Sequence, residues 1–152
     1  MSPLAATGGH WVVVADRGHA RVFRRTSSGR LEEIESLVNP GARMRDRDVY
    51  SDTPGRGLNR SRTGRFAMAG RADNRGRVAQ TFARRLARKL RAARLSGGFT
   101  RLDVVAEPAF LGTLRKAMDA GTRSRVTLAL SHGGFRMDPE ALRTLLNQHR
   151  LK

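Results

Sequence analysis

The chain has 152 residues, no cysteine, and 30 Lys and Arg against 13 Asp and Glu, a net charge of +17. That length fits one domain, and the lack of cysteine excludes disulfides, thiolate zinc sites and cysteine nucleophiles. A charge of this size adds self-repulsion rather than stability, so it points to a polyanionic partner: nucleic acid first, an anionic membrane surface second.

Trp11-Val12-Val13-Val14-Ala15 is a continuous apolar run, the pattern of a strand buried on both faces. Asp16-Arg17-Gly18 is a turn signal, and Ala20-Arg21-Val22-Phe23-Arg24 then alternates, which predicts a hairpin. Ser27-Ser28-Gly29 marks a second turn. A third strand follows over residues 31–38, with Leu31, Ile34 and Leu37 imperfectly spaced, and Asn39-Pro40-Gly41 ends it. Aromatic residues are only 5 % of the chain, so the core must rest on Val, Leu and Ala.

Residues 41–72 are rich in Arg, Gly, Ser and Asp, with almost no apolar periodicity, and are expected to form a long basic loop. Over residues 74–96, Val78, Phe82, Leu86, Leu90 and Ala93 recur at helical spacing and predict an amphipathic helix. Arg77, Arg84, Arg88 and Arg91 fall in a narrow stripe on the opposite side, and Gly97-Gly98 supplies the stop. Leu102 to Ala106 is a buried strand. Pro108 opens a helix through about Asp119, with Phe110, Leu114 and Met118 inward. Val126 to Leu130 is a further strand. Asp138-Pro139 then caps a last helix that buries Leu142, Leu145 and Leu146. The expected fold is α/β: a mixed sheet of about five strands covered by three helices. Residues 1–9 are expected to form a tail and residues 10–150 a single domain, with the basic loop inserted before the long helix.

The charge is concentrated in the middle. Residues 40–77 hold 10 basic and 4 acidic side chains, and residues 78–95 hold 6 and none. Only Lys89, Lys116 and Lys152 are lysines. Arginine's planar fork suits phosphate and can stack on bases; codon usage in a GC-rich genome explains the preference over lysine equally well, but not the net charge. In the run from Arg56 to Arg65, glycine permits close approach to phosphate while Ser, Thr and Asn add neutral donors. The candidate RNA-binding set is Arg43, Arg45, Arg47, Arg56, Arg60, Arg62, Arg65, Arg71, Arg75, Arg77, Arg84, Arg88 and Arg91. The bland alternatives are a solvated loop and a solvated helix face. The helix has no acidic residue after Asn74 for i,i+4 pairing, which weakens the second.

His10, His19, His132 and His149 are scattered without metal-ligand spacing, and no metal or cofactor is expected. Asp16, Asp52 and Asp103 could in principle build an acidic nuclease centre, but turn and cap roles explain them more cheaply. Trp11 is expected to serve the core or the sheet end. Residues 1–10 lack a basic leader pattern and the apolar run after them is too short for a signal or a span, so the chain is expected in the cytoplasm, off the membrane.

His10-Trp11-Val12-Val13-Val14-Ala15-Asp16 with Ala20-Arg21-Val22-Phe23, Ser51-Asp52-Thr53-Pro54-Gly55-Arg56, Phe82-Ala83-Arg84-Arg85-Leu86-Ala87, Gly98-Phe99-Thr100-Arg101-Leu102 and residues 106–115, in this order, resemble the bacterial host attachment protein family. The resemblance implies a fold similar to the middle domain of archaeal and eukaryotic peptide-release factors and Pelota, and a ribosome-facing role at the tRNA site. The Gly-Gly-Gln tip of release factors is absent: Gly8-Gly9, Gly97-Gly98 and Gly133-Gly134 are followed by His10, Phe99 and Phe135. The expectation is therefore a non-catalytic binder of structured RNA or the ribosome, with a translation-silencing, hibernation or stress role. The alternatives are an RNA-directed hydrolase (nuclease or peptidyl-tRNA hydrolase) and a cell-attachment protein, as the family name implies. The oligomeric state is left open.

Overall fold

The computed structural model describes residues 9–42, 60–133 and 136–150, with side chains in the long helix described from Asn74 onward. Strands β1 (His10–Ala15), β2 (His19–Arg25) and β3 (Leu31–Val38) are followed by helix α1 (Arg60–Leu95) and strand β4 (Arg101–Ala106). Helices α2 (Pro108–Ala117) and α3 (Ala120–Arg123), strand β5 (Val126–Ser131) and helix α4 (Pro139–Arg150) complete the order.

The strands form one mixed sheet in the order β3-β2-β1-β4-β5. β1 pairs antiparallel with β2 and parallel with β4, and β5 runs parallel to β4. The apolar run of β1 follows from its central place: Val12 and Val13 point to opposite faces and both are fully buried. On one face, Val13, Ala15, Leu102 and Val104 pack against Phe82, Leu86 and Leu90 of α1 and Phe110 and Leu114 of α2. On the other, Val12, Val14, Phe23 and Val105 pack against Leu142 and Leu146 of α4. The mixed sheet and its helices are thus as the patterning predicts, with the four-residue α3 as an addition.

A β-bulge explains the irregular spacing of β3. Val22 pairs with Glu35 and Phe23 with Glu33, leaving Ile34 without a partner across the strand. The extra residue reverses the facing, so Leu31 joins the α4 side and Leu37 the α1 side. The hairpin turns are chemically specified. Asp16 Oδ1 accepts from the backbone of Gly18 and His19 at 2.8 Å each, and Gly29 adopts φ 90°, which a side chain would strain.

α1 differs from the sequence expectation. It begins at Arg60, not near residue 74, so residues 60–72 are helical rather than part of a loop. Gly64 and Gly70 and the lack of an apolar stripe disguise this half of the helix. Once residues 78–93 are anchored on the sheet, extension adds one backbone hydrogen bond per residue without a new nucleation cost, and Ala67, Met68, Ala69 and Ala72 favour it. At its C-terminus Gly97 has φ 82° and donates to Arg94 O at 3.1 Å, while Gly98 donates to Ala93 O at 2.8 Å. This is a Schellman stop, as the glycine pair predicts. The 36-residue helix is about 54 Å long.

Candidate functional site

The packed half of α1 sorts its basic side chains into two groups. Arg85, Lys89 and Arg94 flank the buried face and tie the helix down. Arg85 donates to Val38 O at 3.2 Å, Lys89 pairs with Glu35, and Arg94 pairs with Asp119 at 2.9 Å and donates to Thr122 Oγ1 at 3.2 Å. Arg77, Arg84, Arg88 and Arg91 are exposed and have no carboxylate partner among the described residues. Their positions fall within about 60° of one another around the helix, over about 21 Å of its length. The stripe expected from the spacing is therefore present, on the side away from the sheet.

α2 extends this surface. Gln80 and Arg84 of α1 and Thr113, Lys116 and Ala117 of α2 line a shallow groove of about 180 Å³. Lys116 is exposed at the C-terminal turn of α2, where a cation also complements the helix dipole. Lys116 is not legible as part of this surface in the sequence, because nothing in its local pattern ties it to α1.

The other expected residues separate by position. Arg43, Arg45, Arg47 and Arg56 lie outside the described residues. Arg60, Arg62, Arg65 and Arg71 belong to the first half of α1, on a helix rather than a loop. Arg75 is exposed but falls on the same side of the helix as Phe82 and Leu86, so it is not part of the stripe.

Asp16 and Asp103 do not come together as a nuclease centre would need. Asp16 lies past the C-terminal end of β1, where its side chain caps the turn, while Asp103 pairs across from Val12 near the opposite end of the sheet. Asp52 lies outside the described residues. Trp11 is half-buried and tilts against Phe99 with ring centroids 5.2 Å apart, the sheet-end role its strand implies.

Asp103 instead anchors a polar cluster beneath the end of α4. It is fully buried, and its oxygens accept from His10 Nε2 at 3.0 Å, from Thr127 Oγ1 at 3.0 Å and from Arg150 Nη2. A bulge in the β4–β5 ladder frees Thr127 for this contact: Leu102 pairs with Val126 and Asp103 with Leu128, skipping it. His10 Nδ1 faces Arg101 Nη2 at 3.4 Å, and Arg25 Nη2 donates to Asn147 Oδ1 at 2.7 Å. Burial disfavours the ionised form of Asp103, but the hydrogen bond and charge of His10, with Arg150 and Thr127, outweigh it and hold the carboxyl below its usual range. Burial, then the neighbouring Arg150 charge, pulls the Arg25 guanidinium below its ordinary value. No spacing rule could have found this cluster, because its members come from five different elements.

Among the described residues no helix is long and apolar enough to cross a membrane, and no three His, Cys, Asp or Glu side chains gather as a metal site would require.

A family model described as "Protein required for attachment to host cells" matches residues 11–146. No curated protein matches the chain. Among solved structures, the chain is similar to the crystal structure of the archaeal translation termination factor aRF1, with a TM-score of 0.49 and 10 % identity. The superposition covers 99 % of this chain and 44 % of that one, so the chain spans less than half of that protein's length.

Proposed function

The chain belongs to the family of proteins described as required for attachment to host cells, and from its basic helix face we propose that it is a non-catalytic RNA-binding protein that docks on structured RNA, the ribosome above all. One observation carries the reading. Arg77, Arg84, Arg88 and Arg91 form a single exposed row without carboxylate partners among the described residues, while Arg85, Lys89 and Arg94 of the same segment are spent on holding the helix. A row about 21 Å long matches several successive phosphates of a nucleic-acid strand. Lys116 and the groove beside Arg84 widen the row into a surface. The chain's charge of +17 supplies the long-range attraction. The stripe side chains contact phosphate and so position RNA without reading its sequence. Blocking or silencing a translation site is the role that suits a binder of this kind.

Co-sedimentation with purified ribosomes tests this. Wild type is expected in the ribosomal pellet at physiological salt, and the Arg77→Ala, Arg84→Ala, Arg88→Ala, Arg91→Ala variant in the supernatant. Equal pelleting of the two proteins would remove the reading.

The family's description favours a second reading, attachment at a cell surface. Surface labelling of intact cells separates the two: a labelled protein supports attachment, and a protein found only with ribosomes supports RNA binding.

A further inference from the structure

The end of the sheet beneath α4 holds more positive charge than its partners neutralise. Arg25, His10 and Arg101 stand side by side on β2, β1 and β4, since His10 pairs in register with both arginines. Arg150 reaches the same place from the last turn of α4. Asp103 is the one carboxylate these groups share among the described residues, and it is taken by His10, Thr127 and Arg150. Among the described residues the partners of the other two guanidinium groups are neutral: Asn147 for Arg25 and the His10 ring for Arg101. Arg143, nearby on α4, faces Glu140 at 3.9 Å. Three guanidinium charges thus meet one carboxylate. The C-terminal dipole of α4 offsets only part of the excess.

Arg25 is half-buried there while Arg101 and Arg150 are exposed, and like charges set this close repel unless something answers them. Arg25 and Arg101 rise from strands on either side of β1, so their backbones are about 10 Å apart. Two arginine forks at that separation can close on one tetrahedral oxyanion, with Arg150 as a third donor. We propose that Arg25, Arg101 and Arg150 form a phosphate-binding site at the β2-β1-β4 end of the sheet, with His10 and Asp103 as its positioning residues. Asp103 holds Arg150 and the His10 ring, and the ring's other nitrogen orients Arg101. α4 and α1 cover opposite faces of the sheet, so this site stands independently of the stripe on α1. The phosphate group can come from an RNA strand or from the free anion.

The test follows the arginine side-chain Nε–Hε signals of the full chain by NMR. Three titrations are compared: sodium phosphate, single-stranded oligouridylate, and sodium chloride at matched ionic strength. Saturable shifts of Arg25, Arg101 and Arg150 beyond those in chloride are expected, weakened about tenfold in Arg101→Gln, the loss of one charge-assisted contact. Arg101 is exposed, so this variant keeps its fold. Shifts with phosphate alone assign the site to the free anion, and shifts with oligouridylate to a strand phosphate. The oligouridylate titration is repeated on the quadruple stripe variant, so that loss of binding at α1 is distinguished from loss here. If neither anion moves these signals more than chloride does, the site does not exist.

Discussion

Asp103 is fully buried, and all its hydrogen bonds favour the ionised form. Its folded-state pKa lies below the ordinary carboxylate value. Its contribution to stability is therefore complete above about pH 4 and is lost as the pH falls through the lower folded value. Asp103→Asn keeps the shape but leaves Arg150 and His10 facing a neutral amide. A loss of about 3 kcal/mol is expected, at the lower end for a broken buried pair because Arg150 is partly exposed. Urea unfolding at neutral pH measures it, and the variant should also lose part of the acid dependence below pH 4. An unchanged unfolding midpoint in the variant would show that the cluster contributes nothing to the fold. The sequence presents Asp103 as a lone carboxylate in an apolar strand, open to a metal, turn or cap role. Its actual partners lie on β1, β5 and α4, and a local pattern cannot name groups so distant in the chain. Asp16 was legible because the two backbone donors to its Oδ1 lie within three residues of it.

α1 is the element where structure adds most to the sequence. The period of its apolar residues locates the packed half, and the glycine pair locates its end. Its start is hidden, because residues 60–72 have helix-forming composition but no apolar face to reveal a period. The periodicity also places Arg77, Arg84, Arg88 and Arg91 opposite the core, but it does not say which basic residues hold the helix. That division depends on Glu35, Val38 and Asp119, which reach α1 only through the fold. The two groups should respond oppositely to substitution. Replacing Arg84, Arg88 and Arg91 by Ala should leave the thermal midpoint nearly unchanged, as for exposed side chains without carboxylate partners among the described residues. Arg94→Ala should cost about 1 kcal/mol, since it removes a partly exposed ion pair and a hydrogen bond to Thr122. Thermal unfolding of both variants checks this, and a stripe variant as destabilised as Arg94→Ala would mean that those arginines hold the fold. The irregular spacing in β3 has a similar cause: one bulged residue, Ile34, transfers Leu31 and Leu37 to different faces. A strand pattern read without its partner cannot show a bulge.

At the scale of the molecule, the two faces of one sheet carry different devices. α1 and α2 cover one face and present the arginine row and its groove to solvent. α4 covers the other and closes over the Asp103 cluster. Net charge and the stripe were legible from composition and helical period, and the mixed sheet from the strand and helix alternation. The cluster under α4 was not, because it exists only where five elements meet. The central claim is that the arginine row on α1 binds RNA through its phosphates. The most direct measurement is the affinity of the chain for a structured RNA as a function of salt, by fluorescence anisotropy, for wild type and the quadruple Arg77, Arg84, Arg88, Arg91→Ala variant. Wild type should show a steep log-log salt slope, reduced by about three in the variant. Equal slopes and equal affinities for the two proteins would contradict it.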